Sequence, residues 1–119
     1  MKSPGTTGRR EKFERERERL NQLLLRDANL PIKRFLALDS DAYADGALPR
    51  RTKELLGLVA SLVLRCDDCI SYHLIQAKEA ELSKDEVVEA LAVGLVVGGS
   101  IIIPHLRRAF ELVEELWDG

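Results

Sequence analysis

Apolar residues recur along this chain every three or four positions, the spacing that buries one face of an α-helix. Three long stretches show the pattern, one after Pro49, one after Ser83 and one towards the C-terminus. Their apolar stripes comprise Leu55, Leu56, Val59, Leu62 and Val63; Val87, Val88, Leu91, Leu95 and Val96; and Leu106, Ala109, Phe110, Val113 and Leu116. The sequence therefore predicts an all-α fold with these helices at its core.

The N-terminal third is more polar. Residues 1–8 lack apolar periodicity, so we expect a flexible end, whereas charges of alternating sign over residues 9–26 predict a solvated helix. We expect this helix to pack on the body, or on another subunit, through the leucines near its end, namely Leu20, Leu23 and Leu24. A short helix should then run from Pro31 to Leu38 and meet the polar run at residues 39–41.

Capping signals place the ends of the later helices. Ser83 and Glu86 form a capping box, in which each side chain satisfies a free backbone donor. Gly98-Gly99 interrupts the helix that follows, and Ser100 or Pro104 begins the last one.

Composition limits the classes of function. The chain has 119 residues, of which 45% are hydrophobic, 32% charged and only 5% aromatic, which fits a single helical domain over residues 9–119. A net charge of -2 gives no support for a nucleic-acid partner or for electrostatic membrane binding.

The start shows no secretory signal and the apolar runs are too short to span a bilayer, so we expect a cytoplasmic protein. There, two cysteines separated by two residues favour redox chemistry or metal binding over a structural disulfide.

The candidate chemistry lies in Cys66-x2-Cys69-x3-His73, preceded by Glu54. The cysteines interrupt two predicted helices, which places them at the tip of a helical hairpin. Cys69 and His73 are four residues apart and share one helix face. Antiparallel packing would place His73 roughly 10 Å and Glu54 roughly 18 Å below the tip, a gap that tilt and long side chains could close. The order thiol, imidazole, carboxylate is an arrangement that activates nucleophiles.

A thiol at a helix N-terminus is stabilised as thiolate, and a neighbouring cysteine can form a disulfide with it after oxidation. Peroxide reduction or disulfide exchange follows from such a pair. Asp67 and Asp68 are most simply helix-start carboxylates, and their charge should partly oppose the effect of the helix dipole.

These residues carry a family resemblance. The segment from Leu48 through Cys66 to His73, the helix after Ser83 and Gly98-Gly99 resemble the AhpD-like branch of the carboxymuconolactone decarboxylase family over roughly residues 31–112. We expect no cofactor, and an external dithiol or thiol-redox protein as the reductant that restores the cysteine pair. The resemblance implies an all-α bundle and obligate trimers or hexamers. It also implies that Cys69 attacks a hydroperoxide, Cys66 resolves, and Glu54 with His73 relays the proton.

The chain departs from this pattern at Asp68, where the alkylhydroperoxidases of the family carry histidine, while true lactone decarboxylases lack the cysteine pair. Proton-transfer catalysis of the lactone decarboxylase or isomerase type by His73 and Glu54 is therefore an alternative, as is a redox-responsive oligomer without catalysis. A zinc site using both cysteines, His73 and Glu54, and a pair of inert thiols, are further alternatives.

Three other residues could shape the site. Tyr72 could donate a hydrogen bond into the pocket or fill the core, Asp68 stands beside Cys69, and His105 fits a core or interface histidine better than a catalyst. The apolar run from Leu91 to Val97, followed by Ile101 to Ile103, exceeds what one small hairpin can cover. We therefore expect burial between subunits.

Overall fold

The computed structural model describes residues 8–119. Its six α-helices are α1 Arg9–Asp27, α2 Leu30–Ala42, α3 Arg50–Val63, α4 Asp67–Glu79, α5 Lys84–Gly98 and α6 Ile103–Asp118, with a 3-10 turn at Ser100–Ile102 between the last two. No strand occurs in this part of the chain. The all-α prediction is confirmed.

The core is formed by α3 to α6. Helix α3 packs against both α4 and α5, and α4 packs against α6. Fully buried aliphatic side chains from all four helices meet there, among them Leu58, Leu62, Leu74, Leu91 and Leu112. The α3–α4 hairpin is therefore held on both sides, which makes it a rigid support for the residues it carries.

Helix α5 begins at the predicted capping box. The Ser83 N–H donates to Glu86 Oε1 at 2.9 Å, and the Glu86 N–H donates to Ser83 Oγ at 3.1 Å. The helix ends at Gly98, after which Gly99 adopts a φ of 79°. Because this left-handed conformation strains residues with a Cβ, glycine is the residue that lets the chain turn into α6 here.

The leucines near the end of α1 do not pack on the body of the single chain, and their packing on another subunit stays a prediction. Leu20, Leu23 and Leu24 remain 47%, 43% and 41% exposed, whereas Phe13, near the start of the helix, packs against the core. The backbone N–H groups of Arg9 and Arg10 donate to the Glu115 carboxylate of α6 at 2.7 and 3.0 Å. The first amides of a helix lack partners within it, so a carboxylate anchors this end.

Of the residues 1–8 expected to be flexible, only Gly8 lies in the described part of the chain. Gly8 is buried, precedes α1, and accepts a hydrogen bond from the Lys12 N–H at 3.0 Å. The remaining seven residues lie outside the described range.

Helix α2 is longer than the sequence pattern suggested. It begins after Asn29, whose side chain accepts from the Ile32 N–H at 3.2 Å, and it continues through residues 39–41 to Ala42. Polar residues can continue a solvent-facing helix, and none of its residues is buried. Leu30, Phe35 and Leu38 are 56%, 68% and 64% exposed. No helix among the described residues is long and apolar enough to cross a membrane.

Candidate functional site

The cysteine pair lies at the tip of the α3–α4 hairpin, as the sequence predicted. Arg65 adopts a φ of 60°, which turns the chain after α3, and Cys66 then occupies the N-cap position of α4. The Cys69 N–H donates to Cys66 Sγ at 3.3 Å. Cys66 and Cys69 form a disulfide with their Cα atoms 5.3 Å apart, within the usual range for a disulfide. Cys66 is half-buried and Cys69 is exposed.

Behind the pair, α3 and α4 bring Glu54 and His73 together. Glu54 Oε1 lies 2.9 Å from His73 Nδ1, and the two residues are only 2% and 8% exposed. The second carboxylate oxygen, Oε2, lies 3.5 Å from Arg50 Nε. A buried carboxylate needs such partners because removal from water disfavours its charge. The structure thus closes the gap between Glu54 and His73 that the helix geometry left.

Sequence analysis missed Tyr43 as a member of this group. Its hydroxyl lies 3.3 Å from His73 Nε2, and the two rings are 5.3 Å apart between centroids. The turn that carries Tyr43 is tied to α3, since the Arg50 N–H donates to Asp45 Oδ1 at 2.7 Å and Lys53 Nζ donates to the Ala44 carbonyl at 2.6 Å.

These contacts assign the protons on the imidazole. An ionised Glu54 only accepts, so His73 Nδ1 carries the hydrogen and Nε2 keeps its lone pair for the Tyr43 hydroxyl. Burial raises the pKa of Tyr43, and the charges of Glu54 and Asp39 raise it further, so the phenol stays protonated and donates. His73 is therefore oriented from both sides, by Glu54 at Nδ1 and by Tyr43 at Nε2.

Gly57 makes room for this arrangement. A Cβ built on it would lie 2.6 Å from His73 Cε1 and would also collide with the Tyr43 hydroxyl. Glycine in the interior of α3 weakens the helix relative to alanine by roughly 0.5–1 kcal/mol. In the sequence, a glycine inside a predicted helix was thus the signal that another group lies close to the helix backbone, although it could not identify that group as Tyr43.

A cleft of about 380 Å³ opens beside Cys69 and His73. Helix α1 forms one wall with Phe13, Arg17, Leu20 and Asn21, among other residues. The Arg17 guanidinium lies 4.4 Å from the centre of the Tyr72 ring, and that ring stands edge-on to His73 with centroids 5.3 Å apart. The Tyr72 ring therefore packs between Arg17 of α1 and His73. No hydrogen bond to the Tyr72 hydroxyl is seen within residues 8–119.

The acidic residues of the Cys-x-x-Cys motif both lie in the first turn of α4, as expected, but their surroundings differ. Asp67 Oδ1 lies 2.9 Å from His105 Nδ1, and Arg108 Nε donates to Asp67 Oδ2 at 3.0 Å. Burial alone would raise the pKa of Asp67, but the hydrogen bonds from His105 and Arg108 outweigh it and lower that pKa. Asp68 borders the cleft beside Cys69.

Metal binding was one alternative for these residues. Between Gly8 and Gly119, no group of three or more His, Cys, Asp or Glu side chains is arranged to hold a metal ion.

Known proteins of similar sequence cover most of the chain. Residues 32–115 match the carboxymuconolactone decarboxylase family. An uncharacterized protein of the cox locus of Paracoccus denitrificans is 32% identical over 85 residues, which cover 71% of this chain and 76% of that protein. An uncharacterized protein of Cupriavidus necator is 34% identical over 82 residues, which cover 69% and 73% of the two chains.

Solved structures show the same architecture. A crystal structure of TM1620 from Thermotoga maritima superposes with a TM-score of 0.86 at 55% identity, covering 88% of this chain and 92% of that one. A second crystal structure of TM1620 gives a TM-score of 0.84 at 54% identity, covering 88% of this chain and 89% of that one. There TM1620 is called a carboxymuconolactone decarboxylase family protein with a suggested part in antioxidative response. Lpg0406 from Legionella pneumophila shares the fold, with a TM-score of 0.78 at 23% identity over 92% and 96% of the chains. The chain belongs to the carboxymuconolactone decarboxylase family.

Proposed function

We propose that this protein is a thiol peroxidase that reduces organic hydroperoxides through Cys66 and Cys69, with His73 and Glu54 handling the proton. The observation that carries the proposal is a cysteine pair at a helix N-terminus, one helical turn from a buried Glu54–His73 pair. The suggested antioxidative role of TM1620 supports the same chemistry.

The oxidative half begins at Cys69, the more exposed thiol and the one that borders the cleft. The Cys69 thiol replaces the Tyr43 hydroxyl as the hydrogen-bond donor to His73 Nε2, which then takes the thiol proton, and Glu54 stabilises the resulting imidazolium. The thiolate attacks the terminal peroxide oxygen, the O–O bond breaks, and the departing alkoxide takes the proton back as the alcohol. Cys69 is left as a sulfenic acid. Cys66 then attacks that sulfur and expels water, which gives the disulfide.

The reductive half uses the difference between the two sulfurs. An external dithiol attacks the exposed Cys69 sulfur, and Cys66 leaves as a thiolate. At the N-cap of α4, Cys66 Sγ already accepts the Cys69 N–H at 3.3 Å, and the positive end of the helix dipole favours its negative charge. The second external thiol then releases the reductant as a disulfide. A reducing compartment such as the cytoplasm suits this cycle.

A second candidate function needs no sulfur, because the proton-transfer group of the site contains no cysteine. Glu54, His73 and Tyr43 form a buried, hydrogen-bonded chain beside a cleft, which could serve a lactone decarboxylase or isomerase. That reaction predicts activity that survives loss of both thiols.

The experiment that separates these functions is thiol titration of the reduced protein before and after one equivalent of an organic hydroperoxide, followed by a dithiol. The peroxidase predicts loss of both cysteine thiols of the chain and their recovery. Protein alkylated beforehand provides the control for peroxide loss in the buffer. Thiols that stay unreacted would instead favour proton-transfer chemistry or a scaffold.

We also propose that the protein acts as a homo-oligomer, either trimer or hexamer. Helix α2 exposes Leu30, Phe35 and Leu38, and an apolar groove between α3 and α5 includes Leu56 at 55% and Val93 at 58% exposure. A single chain leaves these surfaces in water, at a cost of roughly 25 cal/mol per Å² of apolar area. Further copies of the chain could cover both surfaces in closed symmetry.

A further inference from the structure

The contact between Asp67 and α6 has no part in the peroxidase cycle described above. Asp67 lies between the two cysteines, at the first position of α4, yet its carboxylate is bound from a different helix. Each oxygen has one donor, His105 for Oδ1 at 2.9 Å and Arg108 for Oδ2 at 3.0 Å. This pairing spans 38 and 41 residues in sequence, so it is a tertiary contact made at the redox motif itself.

The geometry indicates which atoms carry the hydrogens. Asp67 is ionised at neutral pH, so His105 Nδ1 must carry a hydrogen to donate to it. Arg108 also has a terminal nitrogen 3.1 Å from His105 Nδ1. With Nδ1 already donating, this last approach is a packing contact rather than a hydrogen bond. The negative charge of Asp67 is therefore balanced by the positive charge of Arg108 and by the dipole of the neutral His105 imidazole.

A negative charge within the Cys-x-x-Cys motif matters because it disfavours a thiolate close to it. The other charged groups around the motif are of both signs. Helix α1 presents Arg9, Lys12, Glu16 and Arg17 to the clefts on either side, α2 presents Asp39, and Asp68 lies on the motif itself. Arg65 precedes the motif, and Glu16 is paired with Arg19. None of these groups is seen bonded to Asp67 within residues 8–119, whereas Arg108 of α6 donates to it directly.

We propose that Arg108 and His105 are positioning residues that neutralise Asp67 and hold it on α6, so that Cys69 keeps its reactive thiolate form despite the acidic motif. The proposal rests on the proposed function in that Cys69 is taken as the attacking thiol. It assigns a role to α6, which supplies no residue to the relay. It also explains how an acidic Cys-x-x-Cys motif is compatible with thiol reactivity.

The test is the pH dependence of iodoacetamide alkylation of Cys69 in the reduced full-length protein, followed by peptide mass spectrometry. Arg108→Gln should raise the apparent pKa of the Cys69 thiol by roughly 0.5–1 unit and slow its alkylation about three- to tenfold below that pKa. Arg107→Gln is the matched control, because Arg107 is adjacent, exposed and not bonded to Asp67. It should leave the profile unchanged.

A double variant separates charge from structural damage. Asp67→Asn combined with Arg108→Gln removes both charges, so the Cys69 profile should return to that of the wild type or to a lower pKa. A profile that stays raised in the double variant, or an Arg108→Gln profile equal to that of Arg107→Gln, would overturn the proposal. The readout requires no peroxide, so a protein that shows the shift but turns over no hydroperoxide would contradict the proposed function alone.

Discussion

Glu54 and His73 are separated by 19 residues and lie on different helices, yet Glu54 Oε1 is 2.9 Å from His73 Nδ1 in a buried pair. The contact exists because α3 and α4 fold back on each other and pack along their lengths. It fixes one tautomer of the imidazole and leaves Nε2 as the basic nitrogen. The base is thereby prepared before any substrate arrives.

Loss of the Glu54 charge should slow thiol oxidation. Glu54→Gln keeps the shape of the side chain but removes the negative charge that stabilises the imidazolium formed when His73 takes the proton. We expect the second-order rate of peroxide reduction at neutral pH to fall by about 10- to 100-fold. Stopped-flow measurement of peroxide loss checks this. Glu89→Gln on α5, an exposed carboxylate, is the control and should retain the wild-type rate; equal rates in both variants would contradict the relay.

The two tyrosines beside His73 should behave differently. Tyr43→Phe removes the hydroxyl that lies 3.3 Å from Nε2, so His73 should lose its orientation on that side and the rate should fall by about three- to tenfold, the equivalent of one hydrogen bond. Tyr72→Phe keeps the ring against His73 and Arg17 and should have little effect. Peroxide kinetics on both variants give the comparison, and a larger loss in Tyr72→Phe would show that the wrong hydroxyl has been assigned.

Gly57→Ala tests the close packing of the site. Alanine is normally the better helix former by roughly 0.5–1 kcal/mol, but here its Cβ would lie 2.6 Å from His73 Cε1. Because a displaced base transfers protons poorly, we expect the rate of peroxide reduction to fall by at least about tenfold. The helical circular dichroism spectrum should be retained. Gly46→Ala, in the turn before α3, is the control and should react at the wild-type rate. Full activity in Gly57→Ala would mean that His73 need not occupy its observed position.

Sequence periodicity and capping predicted the features that depend on local spacing. The α3–α4 hairpin and the Ser83 capping box follow from helix geometry along neighbouring segments, whereas helix geometry alone left a gap between Glu54 and His73 that the packed structure closes. Tyr43 could not be predicted, because it reaches His73 from a non-helical turn with no fixed spacing to it. The partners of Asp67 were also beyond prediction, since they lie 38 and 41 residues away on α6 and no local spacing connects them to the motif. The contact of the start of α1 with the body was not predicted, because Phe13 and the distant acceptor Glu115 hold it there.

The exposed apolar faces should mediate self-association. Phe35→Glu on α2 places a charge on a side chain that is 68% exposed in the single chain. If another copy covers this face, the variant should show a lower mass by light scattering coupled to size-exclusion chromatography, because an unpaired charge is costly to bury. Lys33→Glu, on the same helix, is the control for the charge itself. A wild-type protein that elutes as a monomer at micromolar concentration would contradict the oligomer.

The most direct test of the central claim counts the hydroperoxide consumed per chain in the absence and presence of a dithiol. Wild-type protein should consume one equivalent alone and turn over repeatedly with the dithiol. Cys66→Ser should also consume one equivalent alone, leaving a sulfenic acid on Cys69, whereas Cys69→Ser should consume none under either condition. Turnover that persists in Cys69→Ser, or its absence in the wild type, would contradict the assignment of this site as a thiol peroxidase.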